Sequence, residues 1–232
     1  MRIGVIDSGI GGLTLLSRLT KAFSGNEFVY FADVSNAPYG DKSREFIIER
    51  VRVICRELLA KNIDILVLAC NTASVTALDV LKSEFDVPIF GVKPIITGDS
   101  DIVLCTPLTG KSQCINSARD RGCVIIEEPT LATEIESVAP YFCALQARIR
   151  DILYQHTKGV VHLACTHYVF LKDVIKEIFP DIEIKDGYDS VVNSLSQYVK
   201  SHNDRGFLVE FMLGNTKLGL KYSRIFNELG KI

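Results

Sequence analysis

No apolar run in this 232-residue chain approaches the roughly 20 residues a membrane-spanning helix needs. The first acid, Asp7, comes too early for the apolar core of a secretory leader, so the expected setting is the cytoplasm. A basic excess is also missing. Lys and Arg total 26 against 28 Asp and Glu, for a formal net charge of −2 and a pI of about 6.1, which argues against a dedicated nucleic-acid binder. Seven cysteines show neither Cys-x-x-Cys nor zinc-finger spacing, so no metal is expected. Gly9-Ile10-Gly11-Gly12 lacks the G-x-G-x-x-G spacing, there is no G-K-[ST] phosphate loop, and no lysine has a context that marks it for pyridoxal phosphate. No cofactor is expected. The composition, 47% hydrophobic and 23% charged, excludes disorder. A chain of this length buries about 70% of its unfolded surface.

Short apolar runs alternate with helical periodicity. Strands are expected at Ile3–Ile6, Glu27–Ala32, Asp64–Ala69 and Pro88–Gly91. Helices are expected after Gly12, over Ser43–Lys61 and over Thr72–Phe85. The pattern then restarts with strands at Asp101–Cys105, Cys123–Ile126, Val160–Ala164 and Ile182–Ile184. A turn at Thr106–Gly110 and helices over Lys111–Asp120, Pro140 to about Gln155, and Tyr168–Phe179 fall between them. The tail reads as helix Ser190–Lys200, strand Phe207–Met212 and a helix near Leu218–Leu229. Such alternation predicts an α/β fold with parallel sheets.

The restart is an internal repeat. Ile65–Thr72 (ILVLACNT) matches Val160–His167 (VVHLACTH): an apolar strand runs into Ala-Cys, a polar residue and a helix. The prediction is two pseudo-symmetric α/β domains, 1–93 plus about 187–232 and 94–186, with the active site in the cleft between them.

Ligands of parallel α/β sheets bind beyond the carboxyl ends of the strands. Asp7-Ser8-Gly9, Asp33 with Pro38-Tyr39-Gly40, Cys70-Asn71-Thr72, Thr106 with Thr109, and Cys165-Thr166-His167 all fall there. Cys70 and Cys165 would flank one cleft. A cysteine at a helix start meets free N–H groups that lower its pKa. Two such thiols suit racemisation without a cofactor: one thiolate removes a proton from carbon and the other thiol returns one to the opposite face. The site must stabilise a carbanion-like state and exclude water. Asp7 as a plain helix cap, His167 as a solvent-facing residue and the cysteines as buried structural thiols or a disulfide are the competing readings. His162, inside an apolar strand, reads as a satisfied core histidine. Cys55, Cys105, Cys114, Cys123 and Cys143 read as buried structural residues. The glycine run reads as a tight turn with close backbone approach to a small ligand.

Asp7-Ser8-Gly9-Ile10-Gly11-Gly12, Pro38-Tyr39-Gly40, Ala69-Cys70-Asn71-Thr72-Ala73-Ser74 and Cys165-Thr166-His167 resemble the motifs of cofactor-independent glutamate racemases of the aspartate/glutamate racemase superfamily. The match runs from Ile3 to about Val192. The resemblance implies racemisation of L- to D-glutamate for peptidoglycan, and a homodimer with no nucleic-acid or membrane partner. It implies Cys70 and Cys165 as the two bases, with Asp7 and His167 as polar assistants. Ser8, Tyr39, Gly40, Asn71, Thr72, Thr109 and Thr166 would contact substrate, together with Asp7 and His167. A further family glutamate matches Glu136, with Glu127, Glu128 and Glu134 as alternatives. Lys93 stands where the family usually has glutamate, and Pro94–Asp101 is too short for the usual helix. Aspartate, hydantoins or maleate are rival substrates, and a small-acid or protein-binding module without turnover is the rival class.

Overall fold

The computed structural model describes residues 1–201, 206–213 and 216–230. Its first part runs β1 (Arg2–Asp7), α1 (Leu13–Ala22), β2 (Glu27–Ala32), α2 (Arg44–Leu59), β3 (Ile65–Leu68), α3 (Asn71–Glu84) and β4 (Ile89–Gly91). The second part runs β5 (Ile102–Cys105), α4 (Pro107–Gly110), α5 (Gln113–Asp120), β6 (Val124–Glu127), α6 (Leu131–Val138), α7 (Gln146–Leu153), β7 (Gly159–Ala164), α8 (Lys172–Ile178) and β8 (Ile182–Lys185). The tail adds α9 (Tyr188–Leu195), β9 (Leu208–Met212) and α10 (Thr216–Leu229).

Two wholly parallel sheets result, ordered β4-β3-β1-β2-β9 and β6-β5-β7-β8. The second repeats the order of the first four strands, β2-β1-β3-β4, one strand for one. β3 and β7, which run into the two Ala-Cys pairs, are therefore equivalent. Central strands such as β1 and β3 are buried along nearly their whole length, which is why their sequences are continuous apolar runs. The β9 strand beside β2 puts tail residues on the first sheet. No helix among the described residues is long and apolar enough to cross a membrane.

Several elements depart from the sequence reading. The Thr106–Gly110 segment is not a plain turn but one helical turn, with Thr106 capping the N–H of Thr109. Pro140 does not open a helix. It lies between α6, which the sequence reading lacked, and a 3₁₀ turn at Phe142–Leu145 that leads into α7. The helix expected at Tyr168–Phe179 starts as a 3₁₀ turn at His167–Leu171, and the one expected at Ser190–Lys200 is α9, ending at Leu195. No helix forms over residues 94–100. Of the five cysteines read as buried, Cys143 is exposed, because the Phe142–Leu145 turn faces solvent, and Cys114, in the first turn of α5, is half-buried. His162 is buried and bonds Asp101 Oδ2 at 2.9 Å, as a satisfied core histidine should.

Candidate active site

The ends of β1, β3 and β7 meet. Asp7, the last residue of β1, is fully buried; it accepts the Gly9 N–H at 2.9 Å and the Thr166 hydroxyl at 3.0 Å, the second bond crossing between halves. Burial raises the Asp7 pKa, although the His167 charge and these hydrogen bonds oppose the shift. The glycines after it permit close approach of protein groups from the second half. A Cβ on Gly9 would lie 1.9 Å from Glu136 Oε1, and one on Gly11 would lie 2.8 Å from the His167 main-chain nitrogen.

Cys70 occupies the N-cap of α3, where the nearby N–H groups of Thr72 and Ala73 favour its thiolate although no side-chain cap hydrogen bond forms. The expected lowering of its pKa does not follow. Burial is the largest influence, Asp7 adds a like charge, and the Cys70 thiol is pushed well up. Cys70 therefore rests protonated. A charge on Cys165 would raise it further.

Cys165 ends the equivalent strand in a different environment. Its Sγ lies 3.9 Å from His167 Nδ1, and His167 Nε2 lies 2.9 Å from Glu136 Oε1. Burial alone would depress the His167 pKa, but Cys165 and Glu136 raise it well above the ordinary value. The imidazole is cationic at neutral pH, so both ring nitrogens donate, one to sulfur and one to carboxylate. Glu136 also accepts the Ile10 N–H at 2.6 Å, and its pKa is lowered because these partners outweigh its burial. Among the candidate glutamates, only Glu136 reaches His167. Glu127 pairs with Arg119, and Glu128 and Glu134 pair with Arg148.

The hydroxyls of Thr72, Thr106 and Thr109 form a buried triangle at 3.0–3.1 Å, joining α3 to the start of the second half. Gly40 packs against Thr106, where a Cβ would approach to 2.6 Å. Ser8 is buried at the end of β1, and Asn71 uses its amide on the Val92 carbonyl at 3.3 Å. The Tyr39 hydroxyl is committed to Asp33 at 2.7 Å, and its main-chain carbonyl accepts the Lys42 N–H at 3.3 Å. Arg50 holds Asp33 through two bonds of 2.7 and 2.8 Å. Arg50 escaped the sequence reading, since only the fold brings α2 over Asp33. A cavity of about 220 Å³, lined by Val34, Ala37, Pro38, Ala132, Thr133, Glu136 and His167, opens onto the Glu136–His167 pair. Among the described residues, no three or more His, Cys, Asp or Glu side chains converge as a metal site would need.

No family model matches the chain. Glutamate racemase of Leptospira interrogans is 35% identical over 211 residues, 84% of this chain and 81% of the relative. The structure of glutamate racemase from Campylobacter jejuni superposes with a TM-score of 0.84 at 26% identity, covering 98% of each chain. That from Thermus thermophilus, in complex with β-chloro-D-alanine, gives 0.78 at 25% identity, covering 99% of this chain and 93% of that one.

Proposed function

The chain belongs to the glutamate racemase family, and from that premise we propose a cofactor-independent, two-thiol exchange between L- and D-glutamate. It is an amino-acid racemase, an isomerase, with a small-molecule substrate. The observation that carries the mechanism is the unequal environment of two equivalent cysteines. Cys70 is held as a thiol by burial and Asp7, while the cation of His167 faces Cys165 Sγ. A resting racemase of this kind needs one sulfur ready to give a proton and one ready to take it.

In the direction that starts at Cys165, its thiolate removes the α-proton and becomes a thiol. Cys70 gives its proton to the opposite face of the carbanion and becomes a thiolate. The bonds to hydrogen broken and formed balance, and exchange with solvent resets the sulfurs. The reverse reaction uses the same pair in the other order. Burial of Asp7, Thr72, Thr106, Thr109, Thr166 and His167 keeps water from the carbanion. Thr72, Thr109, Thr166, Asn71, Ser8 and the main chain of Tyr39 and Gly40 are the contacts for the amine and carboxylates. The two domains, 1–93 with about 187–232 and 94–186, flank the substrate cleft; residues 202–205, 214–215 and 231–232 of that division lie outside the described residues. In this reading the protein is a cytoplasmic homodimer that supplies D-glutamate for peptidoglycan.

The test is racemisation of glutamate and aspartate by Cys70→Ser, Cys165→Ser and the double variant. Each single variant should lose most of its turnover, and the double variant all of it. Wild-type racemisation by the double variant would remove the thiols from the reaction.

A further inference from the structure

Glu136 sits in the last turn of α6, where helix carbonyls lose their partners. The N–H that would close a bond to the Glu136 carbonyl belongs four residues on, at position 140. That residue is proline and has no N–H. A carbonyl partly withdrawn from water gains from another donor. Lys221 supplies one, from α10: its Nζ donates to the Glu136 main-chain oxygen at 2.8 Å, across 85 positions of sequence. A cation at a helix C-terminus also complements the helix dipole.

The same tail helix supports the Glu136 side chain from the other direction. Tyr222, next along α10, is 1% exposed and packs its ring 6.3 Å from that of Tyr30. The Tyr30 hydroxyl in turn donates to the Gly9 carbonyl at 2.7 Å, in the turn whose Ile10 N–H binds Glu136 Oε1. The Tyr222 hydroxyl is buried with no hydrogen-bond partner among the described residues, and burial first, then the charges of Glu136 and Asp7, oppose its ionisation. An unpaired buried hydroxyl is tolerated only where the surrounding packing is worth more. Here that packing seats α10 against the site.

We propose that Lys221 is a positioning residue for the reaction, fixing the last turn of α6 so that Glu136 holds His167 against Cys165. It touches neither substrate nor sulfur. The proposal rests on the reading of Glu136 and His167 as assistants of Cys165. It extends the site to α10, which belongs to the first half of the fold although the carboxylate belongs to the second.

The experiment compares Lys221→Met, Lys221→Arg and Glu136→Gln in the full chain, reading kcat/KM for glutamate and the proton-NMR titration of His167, with His162 as internal reference. Lys221→Met should lower kcat/KM about tenfold, less than the ~10²-fold that an ångström of misalignment costs. It should also move the His167 titration toward the ordinary value while leaving His162 in place. Lys221→Arg should restore both. Wild-type kcat/KM and an unmoved His167 in Lys221→Met, alongside an impaired Glu136→Gln, would overturn the role of Lys221 alone. A fully active Glu136→Gln would overturn the dyad itself. Should Lys221→Met lose the fold, Lys221→Gln, which keeps a donor without the charge, carries the same two readouts: a partial fall in kcat/KM supports the proposal and none overturns it.

Discussion

Gly11→Ala measures how closely the two halves meet. Gly11 has an ordinary φ, so alanine is conformationally allowed, and on that ground alone it would stabilise by about 0.4–1 kcal/mol through the unfolded chain. Space decides otherwise. The added Cβ would lie 2.4 Å from Thr166 Oγ1, 2.6 Å from His167 Nδ1 and 2.8 Å from the His167 main-chain nitrogen. The side-chain atoms can rotate away, but the main-chain nitrogen moves only with the end of β7. It falls about 0.6 Å short of the 3.4 Å at which ordinary contact begins. Overpacking of this kind costs about 1–3 kcal/mol, so the net destabilisation is about 0–2.6 kcal/mol. For a chain this size that lowers Tm by up to about 10 °C. The same displacement shifts His167 and Cys165 against Cys70, and since ~1 Å costs about 10²-fold, kcat/KM should fall at least about tenfold. Calorimetry and α-proton exchange of glutamate in D₂O read the two effects. A variant with raised Tm and wild-type kcat/KM would refute the closeness of the halves.

Asp7→Asn should raise Tm at pH 7 while cutting kcat by about 10²-fold, the usual worth of acid–base assistance. Because the folded Asp7 pKa is raised, its charge is a cost above the unfolded value near 4; the Tm gain should therefore vanish in acid, and a gain that persists at pH 3 would contradict this. Arg50→Met leaves the buried carboxylate of Asp33 without its bidentate partner. With Arg50 a quarter exposed, the loss should be about 1–3 kcal/mol at pH 7. Asp33 is depressed in the fold, so the stability it lends is present above pH ~4 and lost as pH falls through the folded value; urea titration should show the deficit shrinking in acid. Iodoacetamide at pH 7.5 should label exposed Cys143 before Cys70, whose thiol is raised by burial, and peptide mapping that finds Cys70 first would contradict its protonated state.

Much of this site is visible in the chain because its parts are local. The Ala-Cys strand ends repeat in sequence and prove to be equivalent strands of equivalent sheets, since an apolar run followed by a helix start is a local pattern. The other misreadings share one cause, dependence on tertiary context. A helix N-terminus does reach Cys70, but desolvation beside Asp7 is a property of packing and reverses its effect. Pro140 signals a helix start locally, yet here it follows a helix and strips a donor from its end. Arg50 and Lys221 carry no local signature, because each acts on a residue brought near only by the fold. Glu136 could be separated from Glu127, Glu128 and Glu134 only by distance to His167.

The central claim, one thiol on each face of the substrate, is tested most directly by where deuterium goes in the first turnovers. With L-glutamate in D₂O and no added cofactor, the D-glutamate formed should carry deuterium at Cα while the remaining L-glutamate stays protonated, because each thiol exchanges with solvent and serves one face. Deuterium entering recovered L-glutamate as fast as D-glutamate appears would mean one base serving both faces, and would contradict the account.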